Sequence, residues 1–189
     1  MQTLKIREFL LAALSVAIVV VGLPASAEAQ PGLTLEKAYA RLAESPYAPR
    51  KPGLLKVEGL LDDSDPSGQF LAGLLANEAS ITVVIDTGFE LSVDFTGCEL
   101  TRRGARCASD ASGMRVRLVV TQYRGESEIY RVKLRVKDID LMATGYGPLT
   151  GAVQVSLTQA DPGVTRTDSL SIDECRTHKD GAVVRCKAD

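Results

Sequence analysis

Between Gly113 and Lys137 the chain carries seven basic side chains (Arg115, Arg117, Arg124, Arg131, Lys133, Arg135 and Lys137) against two acidic ones, Glu126 and Glu128. Guanidinium and ammonium groups recognise carboxylate, sulfate and phosphate oxygens, so this segment offers anion binding. Six of them, Arg115, Arg117, Arg131, Lys133, Arg135 and Lys137, alternate with apolar residues, and a period of two places them on one face of two consecutive strands. The chain of 189 residues has a formal net charge of −2. Without a leader ending at Ala27 it holds 20 basic and 23 acidic residues, net −3; the segment stands at +5 and the remainder at −8. Like charges facing each other across strands are mildly destabilising, so something should offset them. One candidate is an acidic neighbour, for which Glu90 and Asp94 in Phe89–Phe95 are available. The other is an anionic partner of the cell envelope: an acidic polymer such as a polysaccharide, lipid head groups, or an acidic protein. Nucleic acid is not expected, because the chain reads as exported and only Tyr123 and Tyr130 lie among the basic residues as stacking groups. With no tryptophan and five tyrosines, stacking platforms for neutral sugars are also scarce.

Catalytic chemistry has fewer footholds. The chain has one histidine, which removes the commonest general base and the commonest zinc ligand from all but one position. That residue, His178, lies in Cys175-Arg176-Thr177-His178-Lys179-Asp180-Gly181 and reads as a hairpin tip; no nucleophile elbow, zinc-protease helix motif or phosphate-binding loop accompanies it. Val83-Val84-Ile85-Asp86-Thr87-Gly88 resembles the active-site loop of aspartic proteases, where two such loops face each other so that two carboxylates share a proton. Here Phe89 follows the glycine where that family has a small residue, and the only counterpart is Asp161-Pro162-Gly163, without the apolar run. The motif therefore reads as a turn between two strands, with a hydrolase using Asp86 as the competing possibility. Asp62-Asp63-Ser64-Asp65-Pro66-Ser67-Gly68 gathers oxygen ligands, but no glutamate follows at the distance a calcium loop needs, and a solvated turn is expected. No metal site and no cofactor are expected.

The first residues read as an address. Lys5 and Arg7 precede an apolar run from Phe9 to Leu23, then Pro24 and small residues, which is the plan of a secretory signal peptide over 1–27, or 1–29. Fifteen apolar residues fall short of the roughly 20 that span a bilayer, so a soluble, secreted or periplasmic chain without a transmembrane span is expected. Export makes two disulfides the natural reading of Cys98, Cys107, Cys175 and Cys186. Cys98–Cys107 and Cys175–Cys186 each bracket a polar, glycine-containing stretch that can fold back as a hairpin, and these pairings are predicted.

The elements that must hold these groups are strands. Phe89, Leu91, Val93 and Phe95 alternate with polar residues, as do Met114–Val120 and Tyr130–Val136, and turns separate them. An offset of about 79 aligns Leu55-Lys56-Val57 with Leu134-Arg135-Val136, Leu91-Ser92-Val93-Asp94 with Leu170-Ser171-Ile172-Asp173, and Arg106-Cys107 with Arg185-Cys186, the pattern of an internal repeat. The apolar phase shifts at Val57–Leu60 and at Val136–Ile139, where a bulge or bend is expected. Leu35, Ala38, Tyr39 and Leu42 have helical spacing behind Thr34, so one short amphipathic helix is predicted, followed by a proline-rich linker over 45–53. The expected fold is all-β: an antiparallel β-sandwich or two small tandem sandwich-like units. Its divisions are 28–53 (helix and linker), 54–131 (first unit) and 132–189 (second, shorter unit). Because the shorter unit lacks a strand, assembly through an open sheet edge is a further possibility; the oligomeric state is not fixed by the sequence.

Overall fold

The computed structural model describes residues 32–43, 52–65, 69–85, 89–111, 113–139, 151–161, 163–179 and 181–189. The leader expected over 1–29, most of the proline-rich stretch and the Asp86-Thr87-Gly88 turn lie outside the described residues.

Alternation of apolar and polar residues produces twelve strands among the described residues: β1 (Leu33–Arg41), β2 (Leu54–Asp62), β3 (Ala79–Ile85), β4 (Phe89–Asp94), β5 (Glu99–Thr101), β6 (Gly104–Ala111), β7 (Met114–Gln122), β8 (Ile129–Lys137), β9 (Val153–Gln159), β10 (Val164–Leu170), β11 (Cys175–His178) and β12 (Val183–Lys187). One helix, α1 (Phe70–Ala76), and a 3-10 turn at Ile172–Glu174 complete the described elements. The strands form two antiparallel sheets. The large one has the order β11-β12-β1-β2-β8-β7-β6-β5 and the small one β10-β9-β3-β4. Inward residues of both, among them Leu55, Val57, Leu118 and Leu134 from the large sheet and Ile81, Val83, Val155 and Leu157 from the small, belong to one hydrophobic cluster. Two disulfides close the hairpins as predicted, Cys98–Cys107 beside β5 and β6 and Cys175–Cys186 across β11 and β12.

The helix predicted over Thr34–Leu42 is instead strand β1. Leu33 and Leu35, then Ala38, Ala40 and Leu42, are buried, which is period two interrupted once. The interruption is a bulge between Leu35 and Lys37 in the pairing with β2, and that extra residue made the spacing look helical. With β2 on one side and β12 on the other, the backbone finds partners that an isolated helix of this length would lack. The bulge expected at Val57–Leu60 is likewise absent: β2 pairs with β8 without a break from Leu54 to Asp62. Gly59 keeps the inward phase there, and a Cβ at Gly59 would stand 2.7 Å from the Thr34 carbonyl oxygen. At the other site the chain does bend. Asp138 takes φ 61°, which returns Ile139 to the core at 1% exposure.

Both sheets are symmetric in their order. The large sheet has β2 and β8 at its centre and the small sheet β3 and β9, with six of the described strands before Ser112 and six after it. Lys56 faces Arg135 across the central pair, and the matched words Leu55-Lys56-Val57 and Leu134-Arg135-Val136 lie side by side in antiparallel register. Arg106-Cys107 on β6 and Arg185-Cys186 on β12 also occupy corresponding strands. The third match does not correspond in this way: Leu91–Asp94 lies within β4, whereas Ile172 and Asp173 lie in the 3-10 turn beyond β10.

Two carboxylates tie the sheets together. Asp63, at the end of β2, is 3% exposed; its Oδ1 and Oδ2 accept the Phe70 and Leu71 N–H groups at 2.7 and 3.0 Å, and Arg166 Nη2 of β10 lies 3.5 Å from Oδ1. It thus satisfies the first turn of α1, whose own cap residue Gln69 makes no side-chain bond. Asp168 of β10 accepts the Leu35 N–H at 2.6 Å, at the β1 bulge.

Candidate anion-binding face

The outward positions of the large sheet can be followed strand by strand from the register. Arg176 of β11 faces Arg185 of β12, Arg185 faces Tyr39 of β1, and Tyr39 faces Lys56 of β2. Lys56 faces Arg135 of β8, Arg135 faces Arg117 of β7, and Arg117 faces Ala108 of β6. One row across seven strands therefore holds five cations, one tyrosine and no carboxylate. The flanking rows are mixed. On one side lie Lys187, Lys37, Glu58 and Lys133; on the other, Arg41, Lys137, Arg115 and Asp110.

All six residues singled out from the sequence stand on this face, and their surroundings divide them. Arg115 Nε lies 2.6 Å from Asp138 Oδ2, a hydrogen bond that raises its already high pKa. Arg131 reaches Glu36 at 3.7 Å and lies 5.2 Å from the Tyr123 ring centre, and Lys133 lies 3.6 Å from Glu58. Arg117, Arg135 and Lys137 make no ion pair among the described residues. The offsetting carboxylates come from the large sheet itself. Glu90 and Asp94, the candidates read from the sequence, stand on the exposed face of β4, an edge strand of the small sheet.

Half of the face was missed. Lys37, Tyr39, Lys56, Arg176, Arg185 and Lys187 join it because β1, β2, β11 and β12 lie beside β8, a long-range pairing that no local pattern encodes. A signal existed in Leu55-Lys56-Val57-Glu58 and Val184-Arg185-Cys186-Lys187, each alternating buried and outward residues. Tyr39 is half-buried between Lys56 Nζ and the Arg185 guanidinium, each 5.9 Å from its ring centre. Around it lies a shallow concavity of about 250 Å³ lined by Lys37, Lys56, Glu58, Arg185 and Lys187. A second one, of about 200 Å³, occupies the corresponding place across the Lys56–Arg135 pair and is lined by Asp110, Arg115, Arg117, Arg135 and Lys137.

The other sequence candidates are dispersed. Asp86 lies outside the described residues, but its flanking Ile85 is paired with Val153, whereas Ala79 at the far end of β3 is paired with Gln159 beside Asp161. Ile85 and Gln159, the described residues before these two segments, thus stand at opposite ends of the β3–β9 pair. Of the calcium-loop candidates, Asp63 is turned inward as a structural carboxylate, and Asp62 accepts the Ser64 N–H at 3.0 Å, with side-chain and backbone bonds from Ser64 lowering its pKa. His178 is exposed at the end of β11, next to the turn of the second disulfide hairpin. The strand Met114–Gln122 is paired on both sides, by β6 and β8, and the large sheet ends in the short strands β5 and β11. Among the described residues no helix is long and apolar enough to cross a membrane. Compared with protein-family models, curated proteins and solved structures, the chain matches none of them.

Proposed function

We propose that this chain is an exported, non-enzymatic β-sandwich protein that binds an anionic partner through the outward face of its large sheet. The observation that carries the reading is the row Arg176, Arg185, Lys56, Arg135 and Arg117. Directly opposed like charges cost roughly 0.2–1 kcal/mol per pair, and no carboxylate in that row relieves them. A bound anion would turn the same charges into a gain through charge-assisted hydrogen bonds. Two disulfides suit an oxidising compartment outside the cytoplasm, in keeping with the basic start and apolar run of residues 5–23. The symmetric strand order supports an origin by duplication of a six-strand unit; we place the junction between Ala111 and Met114, and the third sequence match then becomes coincidental. The test is retention on immobilised heparin at low ionic strength. Wild type should be retained and released by salt, and replacing Arg131, Lys133 and Arg135 together by glutamine should lower the eluting salt concentration. Flow-through of the wild-type protein at low salt would end the proposal.

A further inference from the structure

The geometry points to a ligand of particular shape: a linear acidic polysaccharide, bearing carboxylate or sulfate groups, that lies across the strands along the central row. This rests on the anion-binding reading and narrows it. The acid-free row runs perpendicular to the strands from Arg176 to Arg117, five inter-strand steps or about 24 Å. Adjacent positions in it are one strand spacing apart, close to the rise of one sugar ring in an extended chain. The rows on either side each carry a carboxylate among their cations, Glu58 in one and Asp110 in the other, whereas the central row carries none. A flat anionic surface such as a bilayer would have to sit on all three rows at once, and among the described residues it would find no large exposed apolar side chain there to insert: Leu75, Leu100 and Ile172 lie on α1, β5 and the 3-10 turn. The two concavities reach from the central row into the flanking rows on opposite sides, one beside Tyr39, Lys56 and Arg185 with Glu58 in its lining, the other beside Arg117 and Arg135 with Asp110 in its lining, and each offers cations to a chain lying on the row. Tyr39 is the one aromatic residue of the row, so the track offers a single stacking group where a single-stranded nucleic acid uses successive ones.

A length series separates this from the general reading. Size-defined heparin fragments and oligogalacturonates, from disaccharide to dodecasaccharide, are titrated calorimetrically against the wild-type protein in low salt. Affinity should rise by at least about tenfold from disaccharide to octasaccharide and then level off, as successive contacts become intramolecular. Arg176→Gln with Arg185→Gln should lower affinity for the octasaccharide while leaving the tetrasaccharide within about twofold, because shorter fragments can use the remaining track. Arg185→Lys, which keeps the charge, should preserve most of the gain. Equal affinity at all lengths, or tighter binding to phosphatidylglycerol vesicles or to an oligodeoxynucleotide of matched charge, would overturn the linear-polysaccharide inference while leaving anion binding standing. Absence of binding to every one of these probes would overturn both.

Discussion

On the outward face of the small sheet, Ser92, Thr82, Ser156 and Thr167 form a row across four strands; on the large sheet the comparable central row is Arg185, Tyr39, Lys56, Arg135 and Arg117. Both rows arise from the same alternation of buried apolar and outward polar residues. The hydroxyls satisfy one another: Thr82 and Ser92 oxygens are 3.1 Å apart, Ser156 and Thr167 2.9 Å, and Thr158 and Thr165 3.2 Å. Cations have only donors and cannot pair with one another in this way, so the central row of the large sheet presents donors outward with no carboxylate among them. The difference between the two rows is whether their polar groups can pair with one another.

The largest effect tests the joint that keeps the two faces apart. Replacing Asp63 by alanine removes the carboxylate 3.5 Å from the buried Arg166 Nη2 and the acceptor of the Phe70 and Leu71 N–H groups at the start of α1, and should cost about 3 kcal/mol of stability in chemical denaturation. A loss below about 1 kcal/mol would show that the joint is incidental.

The two disulfides sharpen the comparison. Each closes a short loop, with separations of 9 and 11 residues, so replacing either pair by serine should cost about 2–3 kcal/mol. Only the Cys175/Cys186 replacement loosens the hairpin that carries Arg176 and Arg185, so it alone should weaken heparin retention. Equal loss of retention from the Cys98/Cys107 replacement would show that the binding face is not where it is placed here.

A smaller effect comes from the carboxylates within the basic face. Glu58→Gln removes the partner of Lys133 and should change stability by no more than about 1 kcal/mol, since the pair is half exposed. It should nevertheless raise the salt concentration needed for elution, because a negative charge beside the track is gone. Replacing Thr82 and Thr167 by valine on the small sheet should leave elution unchanged.

The smallest effect lies at the crossover from the small sheet to the large. Glu174, in the 3-10 turn between β10 and β11, accepts the Ser171 N–H and hydroxyl at 2.7 and 2.9 Å, and these bonds, the backbone one first, hold its carboxyl below the ordinary 4.5. A depressed folded-state value contributes stability above pH 4.5 that disappears as pH falls through the folded value. Glu174→Gln should therefore melt slightly below wild type at neutral pH and converge with it in acid; a gap that persists in acid would contradict this.

Much of the fold was legible where structure is local. The strands of β3 and β4 and of β7 and β8, and both disulfide hairpins, are written in alternation, turns and cysteine spacing. Strand β1 was not, because one bulged residue at Glu36 shifts Ala38 and Tyr39 into positions that mimic a helical stripe. The candidate site was legible only in part for a related reason. Arg115 through Lys137 are contiguous in sequence, whereas Lys56, Tyr39 and Arg185 reach them through pairings spanning most of the chain. Alternation says that Glu90 and Asp94 face outward; it does not say from which sheet.

The most direct test of the central claim is a heteronuclear NMR titration of the full protein with a heparin octasaccharide. Amide and side-chain shifts should concentrate at Tyr39, Lys56, Arg117, Arg135, Arg176 and Arg185, with the Ser80–Thr82 and Thr165–Thr167 face unchanged. Shifts centred on the small sheet, or none at saturating oligosaccharide, would contradict the account.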